Sequence, residues 1–404
     1  MVSGQAAIGT IIFAISMVQL ANGFFGTLVS LRVEIEDFGG TLDGLTLSAY
    51  FVGYTVGAVC CGRVIERVGH IRAFAAFAGL VAGATVLFPV AVAPLTWIPL
   101  RFCVGFGAVG LFITTESWLN VKAKPSERGK AFSFYMVATF AALALGQLLI
   151  GAADITAFRP FNLIAALFAG ALFIVSTTRA EPPVIQRGEH LPFGRLIREA
   201  PLAVVGCAVA GLLSGAFYTL VPAWMLEEGL DQSAISFFMF IAVMGGLIFQ
   251  IPVARLSDLL DRRLVVALLA GGLAVVAIAL VVLPHWLVVV FPAAVMFGGF
   301  MSTIYPVSVA HAHDRMRAEA IVGVSGRMLL VHGIASSLGP ALGAVIMEEL
   351  YLDGLLYFMA AVSMLLVFTS LYRRARVTES EHQPRPFGVL APQAAHLGHS
   401  YRAS

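Results

Sequence analysis

The sequence predicts an all-α integral membrane protein: about twelve transmembrane helices in two pseudo-symmetric bundles of six. Three observations carry this reading: the apolar content, an alternation of charge between connections, and two motifs that recur at nearly one offset. Of 404 residues, 59% are hydrophobic and only 12% charged, whereas soluble domains carry about 25% charged residues. The formal net charge is +2 and the bases are spread along the chain, which leaves no footprint for a nucleic-acid partner. Cys60, Cys61, Cys103 and Cys207 all fall in apolar segments. Neither a disulfide framework nor a metal-ligand spacing follows from them, and no cofactor is expected.

A spanning helix needs about 20 predominantly apolar residues. In chain order, candidates fall near 6–31, 43–62, 71–92, 95–118, 129–152, 160–178, 201–226, 232–256, 263–284, 286–311, 319–347 and 351–372. The first has no basic region before it and is long enough to span, so it reads as a retained helix rather than a cleaved leader. The weakest divisions are the short turns at 91–94 and 283–285.

The charges then sort by side. Basic connections hold Arg63, Arg67 and Arg72; Lys122, Lys124, Arg128 and Lys130; Arg179, Arg187, Arg195 and Arg198; Arg255, Arg262 and Arg263; and Arg315 and Arg317. They alternate with acidic ones holding Glu34, Glu36, Asp37 and Asp43; Asp154; Glu227, Glu228 and Asp231; and Glu348, Glu349 and Asp353. The positive-inside rule puts the basic set, and with it both termini, in the cytoplasm. The expected organisation is an N-terminal bundle over 1–179, a cytoplasmic linker over 180–199, a C-terminal bundle over 200–374 and a disordered tail over 375–404. The linker holds Glu181-Pro-Pro183 and reads as a tether. The tail is rich in Pro, Gly, His and Ser.

The stretch from Gly53 to Arg72 runs from an apolar helix with small residues, through a tight charged turn, into another apolar helix. A diluted copy follows at Gln250 to Arg263, with Arg255, Asp258, Asp261, Arg262 and Arg263 as its charges. Lys124-Pro-Ser-Glu127-Arg128-Gly129 likewise matches Arg315-Met-Arg317-Ala-Glu319-Ala320. Two motifs recurring at nearly one offset indicate an internal duplication. Six spans between copies keep the topology of each half the same, with a substrate site expected at their interface.

Gly62-Arg-Val-Ile-Glu66-Arg67-Val-Gly69-His-Ile-Arg72 resembles the signature loop between the second and third helices of the major facilitator superfamily, with Glu66 where Asp is commoner. Arg101-Phe-Cys-Val-Gly105-Phe-Gly107-Ala resembles its fourth-helix motif. Within the superfamily the chain resembles the YcaD-like group of bacterial permeases, through Thr115-Glu116-Ser117-Trp118-Leu119-Asn120, Gly146-Gln147-Leu148-Leu149 and Tyr305-Pro306-Val307 followed by His311. The resemblance implies the major facilitator fold, the inner membrane of a bacterium, a small-molecule cargo and a role for Arg101 in coupling or anion binding. Gly146-Gln147 stands where many drug–proton antiporters of the superfamily carry Gly-Pro, which disfavours that assignment.

Arg101 is the most informative single residue. A charge at such depth usually faces the bundle interior and marks a pathway; the alternative is an arginine snorkelling to the outer surface beyond an interfacial Trp97. Glu116 lies fifteen residues on, about 22 Å along a continuous helix, and does not pair with it. It is expected at the cytoplasmic end, near Arg67, Arg72 and Arg128, where Glu116 and Glu66 either latch a gate or simply neutralise charge.

On the first span Ser16, Gln19, Gly23, Gly26 and Ser30 share a face with Asn22 beside it. The seventh span repeats the pattern with Gly211, Ser214, Gly215, Tyr218 and Pro222, and the tenth with Gly298, Ser302 and Tyr305. Such stripes face protein or a cavity, and helix packing explains the glycines equally well. The stronger site candidates are Gln19, Asn22, Gln147, Tyr218 and Tyr305. Arg327 and His332 differ by about 140° around the eleventh span and do not point at one ligand; Arg327 is a partner for a hinge acid such as Asp258. The His311-Ala-His313-Asp314 run reads as a solvated edge rather than a metal cluster.

No Gly-x-x-x-x-Gly-Lys-Ser/Thr occurs, so direct ATP drive is not expected. The expected function is a secondary or facilitative transporter, not an enzyme, acting as a monomer on a small amphipathic or anionic solute. Protons are a candidate coupling ion, with Arg101, His332 or Asp43 as carriers. A transport-inactive receptor on the same fold is the alternative.

Overall fold

The computed structural model describes residues 4–122, 128–177, 193–316 and 320–376. Thirteen α-helices follow one another: α1 (Gly4–Glu36), α2 (Gly40–Val68), α3 (His70–Leu87), α4 (Pro94–Lys122), α5 (Arg128–Gly151), α6 (Arg159–Ser176), α7 (Phe193–Glu199), α8 (Pro201–Glu227), α9 (Gln232–Leu259), α10 (Arg262–Val282), α11 (Leu287–Asp314), α12 (Ile321–Leu350) and α13 (Gly354–Arg376). Among the described residues, twelve helices are long and apolar enough to cross a membrane, all but the short α7. Helices are the form such a chain must take, because no water is available in lipid to satisfy an open backbone. Large apolar side chains such as Phe173, Val275 and Phe368 stand outward, each about two-thirds exposed. On a water-soluble protein they would form a sticky patch; in a bilayer they meet acyl chains. The protein is an integral membrane protein.

The helices match the expected spans closely but overrun them at charged ends. α2 continues through Arg63, Glu66 and Arg67 to Val68, so the expected charged turn is mostly helix. The turn itself narrows to Gly69, at φ +83° and ψ 163°, a region held almost only by glycine and costing another residue about 1–3 kcal/mol. In the linker, Phe193–Glu199 forms α7, while 178–192 lies outside the described residues. So does the tail beyond Arg376, and so do Lys124 and Arg317.

Four pairs of glycine-mediated contacts reveal the duplication more sharply than the motifs do. In the first half, a Cβ on Gly53 would sit 2.0 Å from the Phe102 carbonyl oxygen, and one on Gly105 1.8 Å from that of Tyr50. These lock α2 against α4. In the second half, a Cβ on Gly245 would sit 2.3 Å from the Val295 carbonyl oxygen and one on Gly298 1.9 Å from that of Ala242, locking α9 against α11. Gly23 and Gly146 join α1 to α5 through the carbonyls of Leu143 and Leu20. Gly215 and Gly339 join α8 to α12 through those of Ser336 and Leu212. Each glycine of one half has its counterpart at the equivalent place in the other. Small residues let membrane helices approach to backbone contact, where dispersion replaces the missing hydrophobic drive.

The halves meet through α2 on α12 and α5 on α9. Several hydrogen bonds cross between them toward the ends that carry the acidic connections. Ser30 Oγ donates to the Thr219 carbonyl at 2.5 Å, and Ser236 Oγ to that of Gln147 at 2.8 Å. Gln232 Nε2 donates to the carbonyls of Ile150 and Ala153.

Candidate functional site

A cavity of about 220 Å³ lies between the halves, lined from α1, α2, α4 and α5 on one side and α8, α9, α11 and α12 on the other. Of the eight residues expected at a substrate site, Arg101, Gln19, Asn22, Gln147, Tyr218, Tyr305 and His332 line it, and Arg327 does not. The expected angular separation on the eleventh span accounts for that split: His332 faces inward and Arg327 is turned away.

Arg101 is 2% exposed, so the snorkelling alternative is overturned. Its guanidinium carbon stands 4.9 Å from the centre of the Tyr50 ring and 6.0 Å from that of Phe25. Its Nε has no hydrogen-bond partner, and among the described residues no carboxylate pairs with it. Cation–π contacts are worth about 2 kcal/mol when desolvated, less than the several kcal/mol it costs to bury an ion. The cation is therefore left with unspent attraction toward the cavity. Trp97 faces protein rather than lipid. It is fully buried beneath this site, with Nε1 donating to the Phe88 carbonyl at 3.0 Å, inside an aromatic cluster with Phe38 and Phe88.

The other polar groups on the wall are amides, hydroxyls and the His332 imidazole. Asn22 Nδ2 donates to Gln19 Oε1 at 3.2 Å, and Thr27 Oγ1 to Gln147 Oε1 at 2.5 Å. Tyr218 and Ser302 line the cavity together. The Tyr305 ring packs edge-on against His332 at 4.9 Å, while its buried Oη has no partner. Of the small-residue stripes, Gly26, Ser214 and Ser302 line the cavity. Gly23, Gly211, Gly215 and Gly298 instead pack on neighbouring backbones. Both explanations of the stripes hold, each for different residues.

The sequence places its polar stripes on the first helix of each half and the fourth of the second, with Arg101 on the other fourth and Gln147 and His332 on the fifth helices. The cavity draws equally on the second and fifth, through Tyr50, Tyr54, Tyr135, Thr139 and Gln250. A signal existed for some of these: Tyr50 and Tyr54 are four apart on one face of α2, and Gln250 is an amide within an apolar helix.

The gate assignments fare unevenly. Glu66, Arg67 and Arg72 are exposed, and a Cβ on Gly62 would meet open space. The side chain of Arg128 lies outside the described residues. Glu116 is not at a solvated helix end with those arginines. It is 1% exposed, and its Oε1 accepts from Tyr135 Oη at 2.9 Å. α4 runs on to Lys122, which leaves Glu116 inside the bundle, against α5, where a guanidinium from the hinge does not reach it.

The second-half hinge is a charge network. Arg262 pairs with Asp314 at 3.0 Å and with Asp258 at 3.6 Å; Arg263 pairs with Asp261 at 3.0 Å, and Arg374 approaches the same carboxylate at 3.6 Å. Asp261 also caps α10, accepting from the Arg263 backbone N–H at 2.8 Å. Burial alone would raise the Asp261 carboxyl, but hydrogen bonds from Arg263 and the charges of Arg263 and Arg374 hold it below its ordinary 3.8. A carboxyl depressed in the folded state stabilises above its unfolded value, and that contribution is lost as pH falls through the folded one. Asp261→Asn is therefore expected to lower the melting temperature at pH 7 and to flatten its fall below about pH 4. Melting curves across that range check it; a variant that melts like the wild type at pH 7 would contradict it. His311, expected at a solvated edge, is 5% exposed, and His313 Nε2 lies 2.9 Å from Ser325 Oγ. His313 thereby meets α12, and His311, on another face of α11, is buried apart from it. Among the described residues no group of three or more His, Cys, Asp or Glu is placed to hold a metal ion.

The sequence profile of the Major Facilitator Superfamily matches residues 11–340 and, separately, 203–396. The chain is 27% identical over 366 residues to a protein of Escherichia fergusonii named an uncharacterized MFS-type transporter YcaD, spanning 90% of this chain and 94% of that one. A second such protein, from Enterobacter sp. (strain 638), is 28% identical over 370 residues, spanning 89% and 93%. Among solved structures, the nucleoside transporter NupG superposes with a TM-score of 0.72 at 13% identity, covering 91% of this chain and 100% of NupG. A D-xylose–proton symporter superposes at 0.68 and 14% identity, covering 93% and 99%. At such identities the likeness is one of fold.

Proposed function

Because the chain belongs to the Major Facilitator Superfamily, we propose that it is a secondary transporter that carries a small anionic or amphipathic solute across a bacterial inner membrane by alternating access. Both termini lie in the cytoplasm in this reading, following the charge of the connections. Cargo binds between the halves, its anionic group on Arg101, its apolar part against Tyr50, Phe51 and Met301, and its polar edge on the amides of Gln19, Asn22 and Gln147. Arginine suits the first role because its fork matches a carboxylate or phosphate with two parallel hydrogen bonds. The halves then rock about the interface, with Gly69 and the network around Asp261 at the hinge ends.

The observation that carries the reading is Arg101: a buried cation in a ring-walled cavity with no acid among the described residues to neutralise it. The experiment is a thermal-shift screen of matched acidic, neutral and cationic solutes on purified protein, followed by counterflow of each hit in proteoliposomes. Stabilisation by acidic solutes and exchange of the same solutes are expected. Hits confined to neutral or cationic solutes would overturn the choice of cargo. Hits that bind but never exchange would overturn transport itself and favour a receptor.

A further inference from the structure

Glu116 is the deepest carboxyl that the anion-site reading leaves unexplained. It sits near one end of α4, yet it is 1% exposed. Oε1 accepts from Tyr135 Oη, and Oε2 is buried with no partner at all. Among the described residues no Lys, Arg or His makes an ion pair with it. The titratable groups that face it are Tyr54 from α2, Tyr135 from α5 and Tyr305 from α11. All three line the cavity. From α3, His70 turns instead to Ser117, with Nε2 3.0 Å from its Oγ. On α1 the titratable residues Arg32, Glu34 and Glu36 lie at the far end of the helix, and Lys130 of α5 is exposed.

A carboxylate in this setting would be an uncompensated buried charge, which proteins avoid by pairing or by neutralising the group. Among the described residues no pairing cation is present, and protonation at Oε2 supplies the missing donor. It also leaves Oε1 free to keep its hydrogen bond, so the site accepts a proton without rearranging Tyr135. We propose that Glu116 is a proton-binding site adjoining the cargo cavity, with the proton on Oε2 and Tyr135 as the positioning residue that fixes which oxygen is open. The proposal rests on the transporter reading for its purpose: a proton held one side chain away from cargo is placed to be exchanged when the halves move. The proton comes from water in the cavity and returns to water, so no further reactant is needed.

The test uses the full chain in lipid vesicles with no cargo, and the probe is the proton itself. Infrared difference spectra between acid and alkaline buffer report the carbonyl stretch of each protonated carboxyl. The wild type is expected to show a band that Glu116→Gln loses and that Tyr135→Phe shifts in frequency. Identical difference spectra in the wild type and Glu116→Gln would overturn the site. Should Glu116→Gln fail to fold, Tyr135→Phe decides alone, because it keeps the carboxyl and removes only the donor: no shifted band, no site. Since no cargo is added, loss of this proposal leaves the transport reading standing. A solute screen without exchange would sink transport and leave the titration intact.

Discussion

Replacing Arg101 by alanine is expected to cut counterflow by about tenfold or more, at least ~1.4 kcal/mol of lost interaction with cargo, while leaving the melting temperature unchanged or higher. The two halves of that expectation have one cause. The guanidinium is buried against Tyr50 and Phe25 with no counter-ion among the described residues, so removing it relieves a desolvation cost larger than the cation–π contacts it gives up. A residue kept for packing would do the opposite and destabilise when truncated. Arg101→Lys is expected to recover only part of the activity, because an ammonium keeps the charge but loses the bidentate fork. Counterflow of an acidic hit and melting curves on the same preparations check both. A variant that is both active and less stable would assign Arg101 to structure.

The second large effect concerns the glycine seams. Gly105→Ala would place a Cβ 1.8 Å from the Tyr50 carbonyl oxygen, and Gly298→Ala one 1.9 Å from that of Ala242. In both cases the obstacle is backbone, so no side chain can swing aside and the helices must part. Overpacking of this kind costs about 1–3 kcal/mol, and each variant is expected to melt well below the wild type. The two should behave alike, since they occupy equivalent places in the two halves. Gly26→Ala is the control: it lies on the cavity wall with nothing within 4 Å of the added atom, and its melting temperature should not move. Unequal losses at Gly105 and Gly298 would mean that the halves are less equivalent than their contacts indicate.

Much of the architecture was legible before any coordinates. The number of spans, their limits to within a few residues and the alternation of charged connections are sums over about 20 consecutive residues. Such sums survive small local errors. Arg101, Gln19, Asn22, Gln147, Tyr218, Tyr305 and His332 were found because a polar group in an apolar helix is costly wherever the helix goes. What failed were statements about who meets whom. Glu116 looked like a partner for Arg67 or Arg72, because all lie near basic helix ends; in the fold it turns to Tyr135. The glycine seams were invisible as a repeat, since a glycine declares nothing about the backbone that will lie against it.

Local chemistry therefore determined that this chain crosses a membrane about twelve times, which ends of its helices are basic, and which polar residues are held inside apolar segments. Tertiary packing alone decided that seven of those residues converge on one cavity, that Arg101 finds no counter-ion there among the described residues, and that Glu116 is sealed behind tyrosines that line the same cavity. The physical reason is that insertion into a bilayer depends on the free energy of each segment by itself. The character of a buried charge depends on distances to side chains from other helices, and no pattern along a single helix encodes those.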